Sequence, residues 1–254
     1  MTTIALINQK GGVGKTTVTM NLGAGLARQG HQVLMIDLDP QANLTYALGI
    51  AAHELDVSVY DLLKGDAPLT DVLLDRDERL QLIPASLELS GAEMALANVA
   101  GREFLLREAL ESFTEPDYVL IDCPPSLGLL TINALTSAQE IYVPVQTEFL
   151  ALQGMSTLIQ TIEVVQRRLN RDLKLSGIIA TRYDKRKTLN REVVEKISEH
   201  FGNKVFKTYI RENVSLAESP SYGQTIFEYR PNSNGAKDFL TLCKEVIGRR
   251  ADQK

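Results

Sequence analysis

Eight consecutive residues, Lys10-Gly11-Gly12-Val13-Gly14-Lys15-Thr16-Thr17, have the types and spacing to hold a polyphosphate. Glycines let backbone N–H groups turn inward around the anion, and a helix beginning near Lys15 would aim its positive end at the same charge. Lys15 is expected to reach the β- and γ-phosphates of the nucleotide, and the Thr16 hydroxyl to ligate Mg²⁺. Asp122 follows four apolar residues, Tyr118 to Ile121, in the Walker B arrangement that holds Mg²⁺ through water. A second acidic stretch, Asp37-Leu38-Asp39-Pro40-Gln41, stands at the end of another apolar run. The common pattern G-x-x-x-x-G-K-[ST] would place a glycine at position 9, where this chain has Gln9 followed by an extra lysine, Lys10. A cation inside a phosphate site is worth far more than one in water, so Lys10 reads as part of the machinery.

Such residues need a sheet edge to stand on. Ile4 to Ile7 reads as the strand feeding the loop, and Val18, Leu22 and Leu26 recur at helical spacing on a segment that stops at Gly30. Further strands are expected at Gln32 to Ile36, Tyr118 to Asp122, Ile141 to Val145, Leu175 to Ala180 and Val205 to Ile210, with one more in 51–115, where short apolar patterns run around Val57 to Leu63 and Leu80 to Ile83. Helical patterns separate them: Leu105 to Phe113, Leu127 to Ala138, Ala151 to Leu169, a segment through Ile197, and Ala236 to Ile247. Strand–helix alternation with ligand residues at strand ends predicts an α/β fold, a doubly wound, mostly parallel sheet flanked by helices, as one domain over 1–254.

At 254 residues and 44% hydrophobic content, the chain can bury a substantial core. With only two cysteines, Cys123 and Cys243, no long apolar run and no charged-then-apolar leader, it reads as cytosolic and reduced. The net charge of −5 hides an asymmetry, −12 over residues 1–150 and +7 over 151–254. A basic half on an acidic protein suits a polyanion, and equally suits solvated helix faces.

The run K-G-G-V-G-K-T-T resembles the deviant Walker A motif of the ParA/MinD family of ATPases. The likeness to short ParA/Soj-type partition ATPases extends nearly end to end, through N-Q-K-G-G-V-G-K-T-T at Asn8 to Thr17, D-L-D-P-Q at Asp37 to Gln41, I-D-C-P-P-S-L at Ile121 to Leu127 and P-V-Q at Pro144 to Gln146. The resemblance implies a P-loop fold, ATP and Mg²⁺ as cofactors, ATP-dependent homodimerisation, non-specific binding of duplex DNA, stimulation by a ParB-like partner, and a cytoplasmic, nucleoid-associated location. It gives Lys10 a role across a nucleotide-sandwich dimer, makes Asp39 the residue that orients the attacking water, and places Asn213 near the adenine. Asp122 is followed by Cys123 rather than a glutamate, so unassisted hydrolysis should be slow, on the order of 10⁻⁴ to 10⁻² per second for switch-type hydrolases.

Three rival readings are open. A MinD-like membrane ATPase needs a basic amphipathic tail with large apolar residues, whereas this chain ends Gly248-Arg249-Arg250-Ala251-Asp252-Gln253-Lys254, so no membrane partner is expected. An iron–sulfur reductase would use two cysteines per subunit, but Cys123 adjoins the Walker B aspartate and Cys243 has core spacing. A ParA-like ATPase that positions a protein cargo over the nucleoid keeps the chemistry and changes the load. For DNA, Arg186 within Lys185-Arg186-Lys187 matches a family arginine. The family's I-P-R-N-V-R-L stretch appears as Ile210-Arg211-Glu212-Asn213-Val214-Ser215-Leu216, which loses two cations and adds an anion, with Arg211 expected as a partial replacement.

Overall fold

A computed structural model describes residues 1–148 and 151–251. Its strands are β1 (Thr2–Leu6), β2 (Val33–Asp37), β3 (Leu74–Asp77), β4 (Leu80–Ile83), β5 (Tyr118–Asp122), β6 (Glu140–Gln146) and β7 (Lys174–Thr181). They form one sheet in the order β3-β4-β2-β5-β1-β6-β7, parallel throughout except for the β3–β4 pair at one edge.

Successive residues of a strand face opposite sides, and here both sides are covered. Ala5, Leu34, Ile36, Val119 and Ile121 point into one apolar cluster, while Ile4, Leu6, Val33, Met35 and Leu120 point into the other. The first cluster is closed by α3 (Val59–Lys64), α4 (Leu69–Val72), α5 (Ala92–Ala95), α6 (Leu105–Leu110), α7 (Leu129–Ser137), α8 (Ala151–Arg168) and α9 (Thr188–Phe201). The second is closed by α1 (Lys15–Arg28), α2 (Asn43–Ala47), α10 (Val214–Glu218), α11 (Ile226–Tyr229) and α12 (Asn234–Ala251). Helix α1 lies against α12 because Gly25 lacks a side chain: a Cβ there would stand 2.5 Å from Cys243 Sγ.

Register positions the chemistry. Leu6 pairs with Asp122, and Asp122 with Asp37, so the ends of β1, β5 and β2 lie in one row at the carboxyl edge of the sheet. The loop after β1, the loop after β2 and the last residue of β5 therefore meet.

Two expectations need correction. Val205 to Ile210 is not a strand. It meets β7 through an isolated parallel bridge, Ile178 to Val205, and through the amides of Phe206 and Ile210, which donate to the carbonyls of Ile178 and Ala180; a second isolated bridge, Tyr183 to Arg211, lies just beyond it. Side chains of α12 take over the backbone groups a ladder would use: Glu245 accepts from the amides of Lys207 and Thr208, and Arg249 donates to the carbonyls of Ser176, Lys204 and Val205. The region 51–115 holds two strands rather than one. The additional strand, β3, is the antiparallel edge, with alternate residues exposed and a sequence, Leu74-Asp75-Arg76-Asp77, too polar to read as a buried strand. Helix α7 begins two residues later than expected, at Leu129, and α6 ends at Leu110. The last tail residues, 252–254, lie outside the described part. Among the described residues, no helix is long and apolar enough to cross a membrane.

Candidate nucleotide site

The phosphate loop is built by β1 and fastened from two neighbouring strands. Asn8, buried at the end of β1, donates from Nδ2 to the Pro144 carbonyl of β6 at 2.8 Å. Its Oδ1 accepts from the Lys10 amide at 3.0 Å and its carbonyl accepts from Lys15 Nζ at 3.2 Å. Thr181, the last residue of β7, donates from Oγ1 to the Val13 carbonyl at 2.7 Å. Gly14 then adopts φ 91°, a left-handed conformation that disfavours other residues, and α1 starts with no side chain capping its first amides. Those amides are free for an anion.

The carboxylates gather beside the loop. Asp122 is fully buried; its Oδ2 accepts from Thr16 Oγ1 at 2.7 Å and its Oδ1 from Thr19 Oγ1 at 3.3 Å. Burial, and then the charge of Asp37, push its carboxyl up to about 8. Burial likewise pushes Asp37 up to about 6, against the hydrogen bonds it accepts. Asp39 is nearly buried; its amide donates to Asp37 Oδ1 at 3.1 Å, and its own Oδ1 accepts from the Gln41 amide at 3.0 Å. A hydroxyl and carboxylate oxygens at the mouth of a phosphate loop are the hard donors that Mg²⁺ takes. Among the described residues no three His, Cys, Asp or Glu side chains form a metal nest.

Space for the rest of a nucleotide adjoins the loop. A cleft of ≈ 390 Å³ is lined by Gly12, Gly14, Thr17, Thr181, Ile210 and Asn213, among others. A second, of ≈ 330 Å³, lies over Lys15, Thr16, Thr17 and Asn43. Asn213 caps α10 by accepting from the Ser215 amide at 2.9 Å. A larger hollow, ≈ 950 Å³, lies at the far end of β7 against α12 and contains none of these residues.

The expected site residues thus divide into groups. Gly11 to Thr17, Asp39, Asp122 and Asn213 come together around the loop. Lys10 is half-exposed and turns to Glu148, Nζ to Oε2 at 2.7 Å. Lys185, Arg186 and Lys187 lie apart from the cleft, exposed in the turn between β7 and α9. Arg186 forks onto Asp184, holding that carboxyl well below the usual carboxylate range. Glu212 lies 3.3 Å from Arg182 and 3.4 Å from Lys187. Arg211 is forked onto Asp238, with its shortest contact at 2.6 Å, so it does not stand in as a spare cation. Sequence reasoning did not single out Asn8, Thr181 or Glu148 as members of the site. Asn8 and Thr181 find partners 136 and 168 residues away, a pairing only the sheet order reveals.

Known proteins match this chain along almost its whole length. A family model described as an AAA domain matches residues 1–175. The sporulation initiation inhibitor protein Soj of Bacillus subtilis (strain 168) is 48% identical over 96% of this chain and 97% of its own. The chromosome partitioning protein ParA of Caulobacter vibrioides (strain NA1000 / CB15N) is 44% identical over 99% of this chain and 96% of its own. Among solved structures, cobyrinic acid a,c-diamide synthase from Mycobacterium smegmatis with a bound ATP analog and magnesium superposes with a TM-score of 0.89 at 39% identity, covering 100% of this chain and 97% of that one. A deviant phosphate loop on β1, carboxylates level with it on β2 and β5, and relatives matched along almost their whole length lead to one assignment: the chain belongs to the ParA/Soj family of P-loop ATPases.

Proposed function

We propose that this protein is a slow, Mg²⁺-dependent ATPase whose ATP-bound state dimerises and binds duplex DNA without sequence preference, in the service of chromosome or plasmid partition. The observation that carries the reading is the pairing of Thr16 with the buried Asp122 at the mouth of the loop, beside an inward-turned Lys15 and an uncapped helix start. Loop amides and Lys15 would hold the phosphates, Thr16 and Asp122 would hold Mg²⁺, and Asn213 would contact the base. The metal, when bound, neutralises charge on the transferring phosphate. Asp39 orients the attacking water. Lys10 leaves Glu148 to reach the nucleotide of a second copy, and a ParB-like protein accelerates turnover. Lys185, Arg186 and Lys187 meet DNA phosphates, which implies a cytoplasmic protein found on the nucleoid.

The synthase activity of the solved relative is not carried over to this chain. Both cysteines here are fully buried, and burial pushes each thiol upward. The test is ATP binding and hydrolysis in Lys15→Ala and Asp39→Ala. Lys15→Ala should lose ATP binding because it removes the main cation at the phosphates. Asp39→Ala should bind ATP normally and cease turnover. Wild-type ATP affinity in the first variant would refute the loop assignment.

A further inference from the structure

Asp37 is a fully buried carboxylate to which the mechanism above gives no part, and its hydrogen-bond partners among the described residues are amides and a hydroxyl, with no cation. A buried carboxylate without a cationic partner is costly to keep, and a neutral side chain could serve a merely structural role more cheaply. What it does hold is specific. Its Oδ1 accepts from the Asp39 amide at 3.1 Å, and its Oδ2 accepts from both the amide and the hydroxyl of Thr45, at 2.9 and 2.8 Å. The two ends of the Asp39–Thr45 loop are therefore tied to one carboxylate. Thr45 is equally buried, and its Oγ1 also accepts from the Ala85 amide beyond β4 at 3.0 Å, which anchors the pair to the sheet.

The loop so held is strained. Ala42 adopts φ 50°, a left-handed conformation costing a non-glycine residue roughly 1 kcal/mol or more. It is kept there by its amide, which donates to the Asp39 carbonyl at 2.8 Å, and by its carbonyl, which accepts from the Tyr46 amide at 2.9 Å. Strain of this kind persists only where the surroundings over-determine it. The consequence falls on Asp39. Its amide, its carbonyl and one carboxylate oxygen are all fixed, so the direction of the remaining oxygen is fixed with them.

We infer that Asp37 and Thr45 form a positioning pair for hydrolysis: they hold the loop so that the carboxylate of Asp39 faces the attacking water. The inference rests on the role proposed above for Asp39. Asp37→Asn is the obvious variant, but its altered donor set could disturb folding, so Thr45 carries the test. Thr45→Val removes the hydroxyl and keeps the shape and the amide; Thr45→Ser restores the hydroxyl.

Turnover number and ATP affinity are measured for wild type, Thr45→Val, Thr45→Ser, Asp39→Ala and the Thr45→Val/Asp39→Ala double variant. Thr45→Val should lose roughly tenfold or more in kcat, as misplacement of a catalytic group does, with ATP affinity within about twofold of wild type. Thr45→Ser should recover wild-type kcat, and the double variant should be no slower than Asp39→Ala alone. If Asp39→Ala is inactive while Thr45→Val turns over like wild type, the positioning pair is wrong and the Asp39 assignment stands. If Asp39→Ala itself turns over like wild type, both fall. A double variant slower than Asp39→Ala by the full Thr45→Val factor would also overturn the inference, since Thr45 would then act independently of Asp39.

Discussion

At the residue scale, the cations of the loop have separate duties that mutation can separate. Lys15 is folded inward over Asn8, whereas Lys10 reaches outward to Glu148, both of that pair being about half-exposed. An exposed ion pair contributes little to stability, so its loss should leave the fold intact. Lys10→Ala is therefore expected to bind ATP as a monomer and fail to dimerise. Light scattering with Mg²⁺ and a non-hydrolysable analogue checks this, and a normal dimer would count against the role proposed for Lys10. For Asp39→Ala, the expected product is a trapped, ATP-bound dimer that stays on DNA, because water positioning acts on the transition state and little on ground-state binding.

At the scale of elements, the segment 202–211 shows what a sequence conceals. Val205 to Ile210 has strand composition, yet α12 reaches across with Glu245 and Arg249 and satisfies backbone groups that a ladder would otherwise bond. Arg249 also stacks on Phe206, its guanidinium 3.9 Å from the ring centroid. Arg249→Ala should leave two or three carbonyls to water and cost roughly 1.5–3 kcal/mol, a Tm loss of about 5 °C. Hydrogen exchange should quicken at Val205 and Phe206 while the amides of β1 and β5 stay protected. Uniform exchange across the sheet would show that Arg249 supports the whole fold rather than this edge. The central strands, α1 and the loop were legible because each is contiguous and carries its period and its motif within a few residues. Edge strand β3, with three charged residues after Leu74, and the anchors Asn8 and Thr181 were not. Their partners are set by strand order.

At the scale of the whole molecule, two charge effects oppose each other. Around the nucleotide, Asp37 and Asp122 are pushed up from 3.8 to about 6 and about 8, so folding favours their protonated forms. Their contribution to stability is complete below pH ~4 and is lost as pH rises through those folded values. The nucleotide-free protein should therefore melt at lower temperature as pH is raised from 5 to 8.5, and Mg²⁺ with ATP, which suits the charged carboxylates, should flatten the decline. A Tm constant over that window without ligand would refute this. Around the turn after β7, several cations are already engaged: Arg186 by Asp184, Arg211 by Asp238, Arg182 and Lys187 by Glu212. DNA binding should consequently be weak and its salt slope shallow, since each contact must displace an internal partner and few phosphates are neutralised.

The central claim, an ATP-driven switch that acts on DNA, is tested most directly by anisotropy of a labelled duplex of arbitrary sequence titrated with the protein at low salt. Four conditions suffice: no nucleotide, Mg²⁺–ADP, Mg²⁺ with a non-hydrolysable ATP analogue, and the analogue with Arg186→Glu. The account predicts binding only with the analogue and wild-type protein, independent of duplex sequence, with the Arg186→Glu variant still dimerising by light scattering. Equal binding in all nucleotide states, or none in any, would contradict it.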